Sequence, residues 1–297
     1  MQRTRLKKYA WQCIACAVCC LAGVVHAVQI SDDQGQHLDF AVPPQRIVSL
    51  LPSLTESVCA LGQCAQLVGR DRYSNYPAAL AHVPVVGGGL DPQIESIVAL
   101  RPDVVLLSSS SRATDRLRAL GLKVLAFEAR SAPDVQRVLV VLGQLLGVPD
   151  ADRVWRTIET QVQAAKAQMP PAVQGMRVYF EVNNGPYAAG EGSFIGALLS
   201  RLGLRNIVPA AMGPFPKLNP EYVVRADPEW IMLADAAAPA LAARPGWQNL
   251  RAVRQRRTCV FSPSQADILI RPGPRMGEAA LLMVDCLAGR LAQRGGA

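Results

Sequence analysis

A pattern that occurs twice restricts this chain's fold more than any other feature: a glutamate, six residues, a proline, an acidic residue, then an apolar run. The first copy runs from Glu95 to Pro102 and Asp103 and continues as Val104-Val105-Leu106-Leu107. The second runs from Glu221 to Pro228 and Glu229 and continues as Trp230-Ile231-Met232-Leu233. Each glutamate opens a short segment with an apolar face, Ile94, Ile97 and Val98 in one copy and Tyr222, Val223 and Val224 in the other. The proline ends that helical turn, because it has no N–H and its ring disfavours helix in the residue before it. A short apolar run after such a stop reads as a parallel strand covered on both faces. The repeat predicts two similar α/β lobes, with one carboxylate at the same point of each.

The rest of the chain keeps the same alternation. Arg46 to Leu50 reads as a strand, and Pro52-Ser53-Leu54-Thr55-Glu56 turns it into a helix ending at Leu61-Gly62. Leu67-Val68-Gly69 is the next strand, and a polar loop from Asp71 to Pro77 leads to Val85-Val86-Gly87-Gly88-Gly89. After the first glutamate unit come a helix near Thr114 to Leu120, a strand from Lys123 to Phe127 and a helix from Pro133 to Leu146. Such βα repetition builds a mostly parallel sheet. From Asp150 to Gln168 the pattern becomes one long helix, with Val154, Ile158, Val162 and Ala165 on its apolar face. Asp150 is its expected N-cap and Pro170-Pro171 its stop. Met176 to Phe180 restarts the series; a helix from Phe194 to Leu202 ends at Gly203, and a last helix runs from about Arg275 to Leu291. The expected fold is α/β, two similar βα lobes with mostly parallel sheets over residues 46–148 and 173–292. A single long rigid helix within 149–172 joins them. Such a frame suits ligand capture in a cleft with little hinge motion.

Residues 1–27 have the form of a secretory signal peptide. Arg3, Arg5, Lys7 and Lys8 make a basic start, Trp11 to Val25 an uncharged apolar stretch, and Val25-His26-Ala27 a cleavage site. The stretch is shorter than the roughly 20 apolar residues of a membrane span. Cys13, Cys16, Cys19 and Cys20 lie within it, but none follows the Leu-x-Gly/Ala run of a lipobox. The expected product is an exported, periplasmic protein starting near Val28. Cleavage leaves 27 basic against 23 acidic residues, a net charge of +4 in place of +8. Nothing in that balance points to nucleic acid: Arg251, Arg254, Arg256 and Arg257 cluster without interleaved aromatics and read as a solvated helix end.

Four cysteines remain, Cys59, Cys64, Cys259 and Cys286, an even number suited to disulfides in an oxidising compartment. Three pairings are open. Cys59 with Cys64 would staple a helix end that has Gly62 as its C′ residue, and Cys259 with Cys286 would lock a strand to the last helix. With no CxxC and only His37 and His82 left, no zinc or other metal site is expected.

No catalytic constellation assembles either. Gly190-Glu191-Gly192-Ser193 lacks the glycines two residues before and after the serine that a nucleophile elbow needs. His37 precedes the first lobe's strands and His82 sits in a loop, so neither follows an acid in the order of that fold's triad. Gly87 to Gly89 is not followed by Lys-Ser/Thr, and no His-Glu-x-x-His occurs. The expectation is a binding protein, not an enzyme, with no cofactor of its own.

Several of these segments carry a family likeness. Arg46-Ile47-Val48-Ser49-Leu50, Leu61-Gly62, Leu67-Val68-Gly69, Tyr76-Pro77 and Glu95 to Asp103 resemble the N-terminal lobe of helical-backbone periplasmic binding proteins. These are the solute receptors of ABC importers for cobalamin, haem and ferric siderophores, and the similarity extends over about residues 46–290. In that family the two glutamates sit on the outer rims of the lobes and pair with arginines of the membrane permease. The resemblance thus implies permease docking through Glu95 and Glu221.

Within the family, the chain is most similar to the cobalamin-binding branch. Asp71-Arg72-Tyr73-Ser74-Asn75-Tyr76-Pro77 resembles its pocket loop, and Asn184-Gly185-Pro186-Tyr187 and Pro214-Phe215-Pro216 resemble its C-lobe aromatic loops. Asp267 with Arg271-Pro272-Gly273-Pro274-Arg275 resembles the segment before its final helix. The implied ligand contacts are Tyr73, Tyr76, Tyr187, Phe215, Asp267 and Arg271. The chemistry agrees, since a corrin is a large, flat, largely apolar ring edged with amides, suited to aromatic walls and a few polar groups. The implied function is capture of cobalamin or a related corrinoid by a monomeric receptor serving an ABC importer permease.

The chain departs from the family at two places. The cobalamin branch carries tryptophans where this chain has Gly89 and Ser108, and the haem branch has an axial tyrosine in the loop that here reads Val86-Gly87-Gly88-Gly89. The substitutions imply a roomier, more polar pocket around Ser108-Ser109-Ser110-Ser111. Haem, a ferric siderophore or another metal chelate bound through its organic shell is the alternative ligand.

Overall fold

The computed structural model describes residues 27–234 and 241–291, so the expected signal peptide lies outside the described residues up to Ala27. An antiparallel hairpin comes first, β1 (Val28–Ser31) and β2 (His37–Phe40). Ile30 and Phe40 bury it against the N-lobe, and Asp33 accepts from Arg137 at 2.6 Å and from the Glu128 N–H at 2.7 Å. The N-lobe continues as β3 (Ile47–Ser49), α1 (Pro52–Ala60), β4 (Leu67–Arg70), α2 (Ile94–Ala99), β5 (Val104–Ser108), α3 (Thr114–Ala119), β6 (Val124–Phe127) and α4 (Ala132–Leu145). Its strands are parallel in the order β4-β3-β5-β6.

The connecting helix is α5 (Asp152–Ala167). The C-lobe follows as β7 (Arg177–Asn183), β8 (Tyr187–Ala188), α6 (Phe194–Arg201), β9 (Arg205–Asn206), α7 (Pro220–Ala226), β10 (Trp230–Leu233), α8 (Arg251–Arg254), β11 (Thr258–Val260), α9 (Pro263–Ile270) and α10 (Met276–Leu287). Here β9, β7, β10 and β11 repeat the N-lobe order in parallel, and β8 runs antiparallel to β7.

The sequence repeat extends to individual hydrogen bonds. After Pro102, the Asp103 carboxylate accepts the Gln45 and Arg46 N–H groups, each at 2.8 Å, and the Arg46 guanidinium caps α2 through the Leu100 and Arg101 carbonyls at 2.6 and 3.2 Å. After Pro228, the Glu229 carboxylate accepts the Arg177 N–H at 2.9 Å, and the Arg177 guanidinium caps α7 through the Ala226 and Asp227 carbonyls at 2.7 and 3.0 Å. Arg101 and Asp227, just before the prolines, take φ of 45° and 40°, the left-handed conformation that ends a helix. The acid after each proline fastens the new strand to the start of its neighbour. Gly62 and Gly203 likewise end α1 and α6 at φ of 84° and 87°. Each donates back into its helix, to Cys59 and Ser200, and the next residue donates to Val58 and Leu199.

Two helix ends differ from expectation. The N-cap of α5 is Ala151, which has no side-chain acceptor, and the Asp150 carboxylate is instead taken by Arg156 at 2.8 Å. The last helix stops at Leu287, short of Leu291, because Gly289 (φ 68°) turns the chain away and Arg290 folds back onto Asp285 at 2.7 Å.

Among the described residues, apolar side chains form three clusters. Val48, Leu50, Val86, Ile97 and Val105 cover one face of the N-lobe sheet, and Tyr179, Val208, Val223, Ile231 and Trp247 the corresponding face of the C-lobe sheet. The third cluster is common to both lobes. It runs from Leu54, Leu106 and Phe127 through Leu142 of α4, Ile158 of α5 and Met283 of α10 to Ile195, Met232 and Phe261. Disulfides join Cys59 to Cys64 at the end of α1 and Cys259 of β11 to Cys286 of α10, one of the three pairings the sequence leaves open.

Candidate functional site

The loops expected to hold ligand leave the carboxyl ends of the parallel strands, where open α/β sheets place their sites. Asp71 to Pro77 follows β4, Ser109 to Ser111 follows Ser108 at the end of β5, and Asn184 to Pro186 links β7 to Tyr187 of β8. Asp71 organises the first of these. It is fully buried, and its carboxylate accepts the Tyr73 N–H at 2.8 Å and the Ser74 hydroxyl. Burial pushes the Asp71 carboxyl above its ordinary value, against the opposing pull of the Ser74 hydroxyl, the Tyr73 N–H and the Arg271 charge. The turn leaves Tyr73 and Tyr76 with 61% and 44% of their surface exposed.

The C-lobe grips this loop directly. Arg271 donates to the Tyr73 carbonyl at 2.9 Å and to Asn75 Oδ1 at 2.8 Å, and pairs with Asp267 at 2.8 Å. Asn75 Nδ2 donates to the other Asp267 oxygen at 2.9 Å. Arg271 also donates to Glu56 of α1 at 2.9 Å, and Arg275 reaches both Glu56 oxygens at 2.6 and 2.9 Å. The Arg275 guanidinium lies 4.3 Å over the Tyr76 ring. The structure thus brings Tyr73, Tyr76, Asp267 and Arg271 together across the two lobes. Arg271, however, is 7% exposed with both terminal nitrogens engaged twice, so it faces the loop and Glu56 instead of an open cleft. Glu56, which the sequence marks only as part of the first helix, is the buried anion of this group.

Tyr187 and Phe215 form a second group, on the C-lobe. Tyr187 pairs with Lys217 in an antiparallel bridge that continues through the Gly190 N–H to the Pro214 carbonyl at 2.9 Å. In that register Tyr187 and Phe215 are diagonal neighbours on one face, both substantially exposed. Glu181 on β7, paired in register with Ala188 next to Tyr187, is fully buried and held by Arg244 at 2.6 and 2.7 Å and by the Tyr179 hydroxyl at 2.9 Å. Arg244 lies 4.5 Å over the Trp247 ring. Burial, then the Glu181 charge, push the Tyr179 phenol far above its ordinary value. The adjoining cavity, between Tyr179, Pro186, Leu218 and Trp247, holds about 180 Å³, less than a drug-sized ligand site needs.

Glu95 and Glu221 occupy the first turns of α2 and α7, helices that lead into the amino ends of β5 and β10. Their starts therefore lie toward the loop-bearing edge of each sheet. Both are exposed, and Glu95 meets Arg116 at 3.3 Å. Ser193 is buried as the N-cap of α6, accepting the Gly196 N–H at 3.0 Å, which accounts for the glycine-serine run. Among the described residues no three His, Cys, Asp or Glu side chains gather as a metal site.

Known proteins share this architecture. Over 266 residues the chain is 29% identical to the ABC transporter substrate-binding lipoprotein YvrC of Bacillus subtilis, covering 86% of this chain and 83% of that one. It is 27% identical over 254 residues to the vitamin B12-binding protein of Salmonella paratyphi A, covering 84% and 91%. Among solved structures, the periplasmic haem-binding protein BhuT in complex with two haems matches with a TM-score of 0.72 at 27% identity, over 83% of this chain and 99% of that one. The family model for periplasmic binding proteins matches residues 47–263, from the first parallel strand of the N-lobe to the start of α9. Two repeated lobes, the connecting helix and that match have one conclusion: the chain belongs to the periplasmic binding protein family.

Proposed function

We propose that this chain is an extracytoplasmic receptor that holds cobalamin or a related corrinoid between its lobes and delivers it to an ABC importer permease. As a family member it is a substrate-binding component of transport, a role in which no bond is broken. The observation that carries the ligand reading is the pair of exposed aromatic groups, Tyr73 with Tyr76 on one lobe and Tyr187 with Phe215 on the other. Clustered exposed aromatics mark a surface that something apolar covers. A flat macrocycle suits walls of this kind, and Asp267, with 29% of its side chain exposed, keeps lone pairs for amides at the ring edge. The named vitamin B12-binding relative supports the same class. Export is supported by the family and by the lipoprotein relative. Permease docking through Glu95 and Glu221 is supported by their matching places on the two lobes and their exposure.

Haem is a second reading, favoured by the likeness to the haem-binding BhuT. One titration separates the two: the mature protein from Val28 onward, against cyanocobalamin, cobinamide and haemin, followed by calorimetry and visible absorption. Saturable one-to-one corrinoid binding, weakened about fivefold or more by Tyr187→Ala or Phe215→Ala, is the expected result. Saturable haemin binding without corrinoid binding would move the ligand to haem. For docking, Glu95→Arg with Glu221→Arg is expected to abolish ligand uptake by cells while leaving the affinity of the purified protein unchanged. Unchanged uptake would count against the docking role.

A further inference from the structure

A buried charge cluster joins the lobes at the point where the ligand loop is anchored. Glu56 contributes a carboxylate from α1 with 1% of its side chain exposed, and the C-lobe answers with two arginines four residues apart, Arg271 and Arg275. Two cations on one buried anion need further acceptors, because an uncompensated buried charge is costly. Those acceptors come from the loop itself: the Tyr73 carbonyl and Asn75 Oδ1 for Arg271, and the Tyr76 ring for Arg275. Asp267 completes the set by taking Arg271 and the Asn75 amide. Three residues of the loop's tip, Tyr73, Asn75 and Tyr76, are thus tied to C-lobe arginines that are themselves fixed to the N-lobe. The arginine fork fixes direction as well as distance, which a lysine could not.

We infer that Glu56, Arg271 and Arg275 are positioning residues that preset the loop carrying Tyr73 and Tyr76, so that its ligand-competent shape exists before ligand arrives. The cluster does not touch the ligand. It works by holding the loop's backbone and aromatic rings against the opposite lobe, which lowers the ordering cost of binding. Its effect on affinity rests on the receptor reading above, whereas its effect on the loop stands without it.

Hydrogen exchange of the ligand-free mature protein tests the loop directly. Arg271→Lys keeps the charge beside Glu56 but loses the fork to Tyr73 and Asn75. It is expected to speed exchange in peptides spanning residues 71–77 about tenfold, with little change in peptides spanning β5 and β6. Asn75→Ala, at an exposed position, removes the amide's bonds to Arg271 and Asp267 and is expected to act in the same direction with a smaller rise. Cyanocobalamin or haemin, whichever the wild type binds, should bind Arg271→Lys about tenfold more weakly, and Glu56→Gln should follow it. A loop rise below threefold in both Arg271→Lys and Asn75→Ala would overturn the proposal. So would a rise shared equally by β5 and β6, which would make the cluster a general stabiliser. If the wild type binds neither probe, the exchange result still decides the loop's dependence on the cluster, and only the ligand reading falls.

Discussion

The two lobes are built on one frame but filled differently. Ser49 lies opposite Leu106 in the N-lobe as Phe180 lies opposite Met232 in the C-lobe, so Arg46 matches Arg177, Val48 matches Tyr179 and Leu50 matches Glu181. The edge of the frame is held alike in both lobes, by the acid after the proline and the arginine that caps the short helix. One step beyond β3, the N-lobe places an apolar Leu50, whereas the C-lobe places a fully buried carboxylate with its own arginine and phenol. A parallel strand thus needs its polar backbone satisfied, but its side-chain neighbourhood can be apolar or a closed polar network, provided every member has a partner.

The sharpest way to break this comparison is to remove one member of the C-lobe network. Glu181→Leu copies the N-lobe residue but strands Arg244, and should cost about 3–5 kcal/mol in urea unfolding. The triple change Tyr179→Phe, Glu181→Leu and Arg244→Met removes every polar member at once and should recover most of that loss. If the single change were mild, the two lobes would be interchangeable at this point after all. Next in size are the matched glycines. Gly62→Ala and Gly203→Ala each force a Cβ into left-handed backbone and should each cost about 1–2 kcal/mol. A Cβ at Gly203 also meets the flexible end of Gln174, while one at Gly62 meets open space, so the two losses should differ by less than about 0.5 kcal/mol.

The smallest difference concerns acid. Before its proline the N-lobe has Arg101, and the C-lobe has Asp227. Its burial favours the neutral form, but the Arg251 N–H at 2.9 Å and the Arg251 guanidinium at 2.6 Å outweigh it and hold the carboxyl below its ordinary value of 3.8. A depressed value in the folded state means the contribution is present above pH 3.8 and is lost as pH falls through the folded value. Asp227→Asn should therefore weaken the protein at pH 6, and the gap from wild type should narrow below pH 3.8, read as urea midpoints at the two values. The partly exposed pair limits this to a fraction of the glycine effects.

Much of the frame was legible in the sequence because its causes are local. Pro102 and Pro228 act on the residue before them, and Gly62 and Gly203 on the preceding turn. The disulfide cysteines could be counted but not paired, since pairing depends on where β11 and α10 meet. The buried charges were out of reach for the same reason. Glu56 finds its partners 215 and 219 residues further on, and Glu181 its arginine 63 residues on. One signal was available: Glu181 interrupts Val178-Tyr179-Phe180 and Val182, and a lone charge inside a strand-forming apolar run implies a buried partner. Arg271 was identified through family likeness as a ligand contact. Only the packing of α9 against the loop shows its donors already committed.

The apolar cluster that runs through α4, α5 and α10 makes neither lobe independent of the other. Stripping one lobe away would expose the face of the other, so the molecule should melt in a single cooperative transition, with calorimetric and van 't Hoff enthalpies equal, despite its duplicated topology. Two lobes built on one repeated frame would then behave thermodynamically as one body, and any bound cargo would raise one shared melting temperature.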